Sequence, residues 1–234
     1  MKKIVIRIGG SVIASPPNPK LLEKYAELIK DLRKQGHQIA VVVGGGKPAR
    51  EFINLARELG LSEREQDELA ISVSRIFAQA LAMKIGGYEW RHIPTTTKEA
   101  AEILNERGIV VMGGVKPGMT TDAVAALLAS EAKADLIVKA TDQNGVYTKD
   151  PRRHPDAKKL DKISFDELEK LLAENRHHAG IHQIIDPEAV RILKEKHITT
   201  IVVNGFKPEN ILLAIRGAKI GTIIRQVAFN TEIV

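Results

Sequence analysis

The sequence predicts an α/β fold built on a mainly parallel sheet with helices on both faces, and three observations carry that expectation. Residues 4–6 with Ile8, 39–43 and 135–140 form apolar runs without the alternation of a half-exposed strand, as expected of strands buried on both faces. Segments with helical spacing alternate with these runs along the chain. Glycine-rich turns follow two of the runs directly, where open parallel sheets bind their ligands.

Residues 4–8 read as the first strand, closed by Gly9-Gly10. Leu21, Leu22, Tyr25, Leu28, Ile29 and Leu32 mark a helix that Gly36 ends. The strand 39–43 leads through three glycines into a helix over roughly 47–60, and a second helix spans roughly 63–85. Short strands are expected near 89–93 and 109–112, then an Ala- and Leu-rich helix from Thr121 and the buried strand 135–140. A polar, turn-rich stretch runs to about Lys162. Helices near 165–173 and 187–196, a strand at 198–203, a helix at 208–216 and a strand at 220–225 complete the pattern. No internal repeat or low-complexity linker interrupts residues 1–234, so a single folding unit is expected, its halves meeting near residues 115–140.

The 234 residues are enough for one α/β domain with a substantial core, and 44% hydrophobic residues exclude a disordered composition. The 35 Lys and Arg exceed the 29 Asp and Glu by six, which suits an anionic partner without specifying it. Five Phe, three Tyr and one Trp are too few for stacking platforms on single-stranded nucleic acid, so no nucleic-acid partner is expected. With no Cys, thiolate catalysis and Cys-based metal sites are excluded. The apolar stretch at the start is short and broken by Arg7, unlike a signal peptide, and no stretch is expected to reach membrane-spanning length. A soluble cytoplasmic protein without a membrane partner is the expectation.

Three turns carry the chemistry: Gly9-Gly10-Ser11, Gly44-Gly45-Gly46-Lys47-Pro48-Ala49-Arg50, and residues 113–122 with Lys116, Gly118, Thr120 and Thr121. Glycine lets a phosphate approach the backbone, and the N–H groups of a helix start favour an anion there. None of the three matches a P-loop or a dinucleotide fingerprint. A fourth segment, 141–151, follows the strand 135–140 and contains the Asn144-Gly145 turn signal, with Tyr147 as a flat surface and Asp150 as an acceptor. His177, His178 and His182 have no Asp or Glu among them and read as loop, so no protein-bound metal is expected. Trp90, beside Tyr88, reads as packing or a subunit contact.

Taken in order, Gly9-Gly10-Ser11, the 44–50 run, 118–122, Gly145-Val146-Tyr147 with Asp150-Pro151, and the 185–192 segment resemble the amino acid kinase family over nearly the whole chain. Within it, 44–50, 117–128 and Ile185-Asp186-Pro187 are most similar to archaeal-type uridylate kinases. The resemblance implies a three-layer αβα sandwich, transfer of the γ-phosphate of ATP to UMP, Mg²⁺ accompanying ATP, and a homohexamer. It implies an acceptor-binding part over roughly 1–130 and an ATP-binding part over roughly 131–225. By matching positions, Arg7, Gly9, Gly10 and Arg50 would serve catalysis. Gly45, Asp67, Val115, Lys116, Pro117, Gly118, Met119, Thr120 and Thr121 would hold UMP. Gly9, Gly10, Gly46, Arg50, Thr141, Asp142, Tyr147 and Asp150 would hold ATP.

Two positions depart from the family pattern. Arg7 stands where many relatives have Lys, and Thr141-Asp142-Gln143-Asn144-Gly145 replaces the usual Thr-Asn-Val-Asp-Gly. Other acceptors of the family, isopentenyl phosphate or an acidic amino acid, and a non-catalytic nucleotide-binding role remain the alternatives. A nucleoside monophosphate acceptor needs no general base, because its second phosphate pKa is about 6. Charge neutralisation and alignment would then carry the reaction, with Arg7, Lys47, Arg50 and Lys116 as the available cations.

Overall fold

The computed structural model describes residues 1–87, 90–175 and 185–226. The histidines 177, 178 and 182, and Tyr88, lie outside the described residues. The chain opens with β1 (Lys3–Ile8), the short α1 (Gly10–Ile13) and α2 (Pro19–Lys34), followed by β2 (Gln38–Val43), α3 (Gly46–Glu58) and α4 (Glu63–Gly86). Next come α5 (Thr97–Arg107), β3 (Ile109–Met112), α6 (Thr121–Glu131) and β4 (Leu136–Thr141). The later part holds β5 (Val146–Tyr147), β6 (Lys159–Leu160), β7 (Lys162–Ser164), α7 (Phe165–Asn175), α8 (Pro187–Glu195), β8 (Thr200–Asn204), α9 (Glu209–Ile215) and β9 (Thr222–Arg225).

Seven strands form one sheet in the order β3-β2-β1-β4-β8-β9-β7, and every pairing but β8 with β9 is parallel. The expected parallel sheet is present, and β5 with β6 adds a separate antiparallel pair. Successive strand residues point to opposite faces. Ile4, Ile6 and Ile8 therefore join β2 residues Ile39, Val41 and Val43 and the helices α2, α4 and α9 in one core. Val5, Ala40 and Val42 face the other core, built with α5, α6, α7 and α8. Ile4, Ile6 and Ile8 are each fully buried, and each contributes roughly 1.5–3 kcal/mol by its burial.

Three expectations are corrected. Among the described residues of 89–93 there is no strand. Trp90 instead packs its ring over Gly86 so closely that a Cβ there would lie 2.1 Å from it, and Gln79 Nε2 donates to the Arg91 carbonyl at 3.2 Å. The helix α5 was not expected. Its start is capped by the Thr96 side chain, which accepts from Glu99 N, and its end by Gly108 in the left-handed region. Finally, α4 has 24 residues and is long and apolar enough to cross a membrane, contrary to the expectation that no stretch would be. Its Ala78, Leu81, Ala82 and Ile85 belong to the core beside β1 and β2, the place of a core helix.

Candidate active site

Strand parity and register assemble the charged centre. In β1 the odd residues face α6 and α8, so Arg7 points to the same side as Val5. Parallel pairing puts Arg7 directly beside Lys139 of β4. Two cations side by side on neighbouring strands repel each other, and α6 supplies the counter-charge. Arg7 Nε lies 2.7 Å from Asp122 Oδ1, and Lys139 Nζ donates a short hydrogen bond to Asp122 Oδ2. Asp122 Oδ2 also accepts from the backbone N–H of Asp186, the N-cap of α8, at 3.3 Å. The three side chains are 17%, 11% and 7% exposed for Arg7, Asp122 and Lys139. Burial pushes Asp122 toward a higher pKa, but Arg7 and Lys139 outweigh it and hold the carboxyl below its ordinary value. Burial pushes Lys139 down to about 8, and Arg7 adds to that shift while Asp122 opposes it.

The glycine turns meet beside this centre. A Cβ on Gly10 would lie 2.0 Å from Gly46 N, and one on Gly46 would lie 2.3 Å from the Gly10 carbonyl oxygen, so the first two turns interlock backbone to backbone. Gly46 also has φ +62°, a conformation that favours glycine. Ser15 Oγ ties the pair, donating to Gly10 O at 3.1 Å and accepting from Lys47 N at 2.6 Å. At Gly45 an added Cβ would meet Ala49 Cβ at 2.5 Å, so packing by itself already favours glycine there. Arg7 Nη1 would stand 3.0 Å from a Cβ on Gly9, and Arg7 Nη2 donates to Thr121 Oγ1 at 2.9 Å. Arg7 therefore lies between the first turn and the start of α6. Thr120 is the N-cap of α6, its side chain accepting from Ala123 N. Arg50 and Lys47 are exposed on α3, and Lys47 faces Glu51 at 3.6 Å.

The loop from Gly113 to Thr121 is held by α4. Ser74 Oγ accepts from Gly114 N at 2.8 Å. Arg75 donates from Nε to Gly114 O at 2.9 Å and from Nη2 to Val115 O at 3.1 Å. Asp67 Oδ2 accepts from Gly118 N at 2.7 Å. Along this loop Lys116, Gly118 and Thr120 are exposed, and Val115, Pro117 and Met119 are half-buried. Asp67, 51 positions away in sequence, thus meets the loop with which the sequence grouped it.

On the other side of β4, the 141–151 segment is held by its own polar groups. Thr141 Oγ1 donates to Asp142 Oδ1 at 3.2 Å, and Arg152 Nη2 donates to Asp142 Oδ2 at 3.2 Å. Asn144 Oδ1 accepts from Asn204 Nδ2 at the end of β8, at 2.9 Å. Asp150 Oδ1 accepts from Arg152 N at 3.0 Å. Tyr147 lies half-buried in β5.

The sequence profile of the amino acid kinase family matches residues 2–204. The uridylate kinase of Methanocaldococcus jannaschii is 44% identical over 95% of this chain and 99% of its own length. That of Methanobrevibacter smithii is 38% identical over 94% and 97%. The crystal structure of the Archaeoglobus fulgidus uridylate kinase superposes with a TM-score of 0.86 at 39% identity, covering 96% of this chain and all of that one. The chain belongs to the amino acid kinase family.

Within this amino acid kinase, two residues of the charged centre and two that hold the 113–121 loop were not singled out from the sequence. Asp122 stands in the 117–128 motif, but nothing in the motif says which cations it meets. Lys139 interrupts the apolar run 135–140 just as Arg7 interrupts the first strand, and that parallel was the available signal. Ser74 and Arg75 lie in a helix whose apolar spacing identifies its core face only.

Proposed function

We propose that this chain is an ATP-dependent uridylate kinase that transfers the γ-phosphoryl group of ATP to UMP, giving ADP and UDP. The observation that carries the reading is Arg7, largely covered and ion-paired with Asp122 at the carboxyl edge of the sheet and reaching both the first glycine turn and the start of α6. A phosphate oxygen of UMP attacks the γ-phosphorus, and the bond to the bridging oxygen of ADP breaks. The acceptor oxygen is already ionised, so no base is required. The protein's task is to bring two anions together in line, and a fixed guanidinium beside N–H-rich turns does that.

UMP is assigned to Gly45, Asp67 and residues 115–121. Arg7, Gly9, Gly10 and Arg50 are assigned to the transferring phosphoryl group. Gly9, Gly10, Gly46, Arg50, Thr141, Asp142, Tyr147 and Asp150 are assigned to ATP. This divides the single domain into an acceptor part over roughly 1–130 and a donor part over roughly 131–225. Mg²⁺ enters as part of the donor substrate. Asp122 is already engaged by Arg7, Lys139 and the Asp186 N–H, so the ion would be held mainly through the ATP phosphates and would neutralise their charge. The setting assigned is the cytoplasm, with six copies of the chain in the assembly.

The test is an acceptor screen with Mg-ATP, offering UMP, CMP, isopentenyl phosphate, glutamate and aspartate. UDP formed faster than any other product is the expected outcome. Faster consumption of isopentenyl phosphate or an amino acid removes the substrate assignment, and absence of turnover with all five removes the kinase reading.

A further inference from the structure

Lys139, 7% exposed, is assigned to neither nucleotide in the arrangement above. It lies under α6 and α8, beside a cavity lined by Arg7, Asp122, Ile137, Ile185 and Thr200. Thr200 is 1% exposed, and its hydroxyl has no hydrogen-bond partner among the described residues. An aliphatic side chain would fill this place in β4 with less electrostatic cost, since a cation here is desolvated and adjacent to Arg7 in register. We propose that Lys139 is a positioning residue for phosphoryl transfer: it holds Asp122 by one carboxylate oxygen so that the other aligns Arg7, and it keeps the buried centre net positive. The proposal rests on the phosphoryl-transfer reading of the site.

The charge balance explains the second role. Asp122 orients Arg7 but also cancels its charge. With Lys139 protonated, two cations and one carboxylate leave a net positive centre beneath the incoming phosphates. With Lys139 neutral, the centre sums to zero, and Asp122 Oδ2 keeps only the Asp186 N–H and a weak amine donor. The groups that face Lys139 are Arg7 from β1, Asp122 from α6, Asp186 at the start of α8 and the neutral Thr200 from β8. Burial brings the lysine's pKa to about 8, so its proton is lost within the range of an ordinary activity assay. Turnover should then fall on the alkaline side as Lys139 loses its charge, with the acid side set by UMP at about pH 6.

The experiment is a pH profile of kcat and of kcat/KM, with Mg-ATP and UMP each varied, for the wild type, Lys139→Arg and Lys139→Met, with thermal unfolding of each. Lys139→Met should lower kcat about 10- to 100-fold, the scale of a group acting through another, with little change in either KM. Its unfolding temperature should equal or exceed that of the wild type near pH 7, because a desolvated cation is gone. Lys139→Arg should restore turnover and abolish the alkaline fall, since an arginine does not titrate there. A wild-type kcat/KM flat to pH 10 overturns the proposal, because that ratio reports the free enzyme in which Lys139 titrates at about 8. So does an alkaline fall that persists in Lys139→Arg, or a Lys139→Met enzyme with wild-type kcat. A wild type without UMP-dependent ADP formation would instead remove the reaction assigned above, a result distinguishable from all of these.

Discussion

At the scale of single residues, Asp67 holds the 113–121 loop, and the proposed acceptor site gives it a second task. Its Oδ2 accepts from Gly118 N, which leaves Oδ1 available to a ribose hydroxyl. Asparagine can preserve the loop contact through its carbonyl oxygen but replaces the second acceptor with a donor. Asp67→Asn is therefore expected to raise the KM for UMP by about tenfold or more, the scale of a hydrogen bond to a charged group, with the KM for ATP nearly unchanged. Initial rates with each substrate varied in turn provide the measurement. An equal rise in both constants would place Asp67 in the loop's architecture and not in acceptor recognition. The sequence marked Asp67 and Arg7 as candidates, the first by motif order and the second by a charge in an apolar strand. It left Lys139 unread because its meaning depends on register: only the pairing of β1 with β4 puts it beside Arg7.

At the scale of elements, the alternation of buried runs and helical spacing was enough to predict the parallel sheet, because a strand covered on both faces has an almost continuous apolar signature. The helix α5 escaped because its core face consists of Thr97, Ala100, Ala101 and Leu104, small residues that give a weak apolar stripe. Its legible marks were Thr96 with Glu99 at the start and Gly108 at the end. Four elements (β1, β4, α6 and α8) meet at the Arg7–Asp122–Lys139 centre, so their docking depends on pH. Lys139 titrates at about 8 in the folded protein and near 10.4 unfolded. Between those values the unfolded chain binds the extra proton, so stability rises with pH, by up to about 1.4 kcal/mol per unit. Burial raises the pKa of Tyr25, so above about pH 10 unfolded tyrosine ionises while the folded one keeps its proton, and stability falls again. Asp122 acts in the opposite range: its contribution is present above about pH 4 and is lost as the pH drops through its lowered folded value. Denaturant unfolding of the wild type should therefore show a gain from pH 8 to 10 that Lys139→Met lacks. Parallel profiles for the two proteins would refute it.

At the scale of the whole molecule, the large exposed apolar side chains among the described residues are not scattered. Of the eight, Phe52 and Leu55 lie on α3, Leu59 caps its end, and Ile76 and Met83 lie on α4, two helices packed against each other. Leu59 is 67% exposed and Ile76 is 62% exposed, which is costly on a solitary chain. The same helices carry the site, since α3 begins at Gly46 and α4 bears Asp67, Ser74 and Arg75. A second copy of the chain, meeting this face by two-fold symmetry, would cover the apolar residues and stiffen the helix that holds the 113–121 loop. The six copies proposed above would need further contacts elsewhere on the chain. Light scattering of the wild type should give the mass of six chains. The double substitution Leu55→Glu with Ile76→Glu should break the two-fold contact and yield a smaller assembly with an unchanged far-ultraviolet dichroism spectrum. It should also lower kcat for UMP, because the loop then depends on an unsupported α4. A wild-type mass of one chain would remove the assembly, and an unchanged mass in the double variant would move the contact to another face.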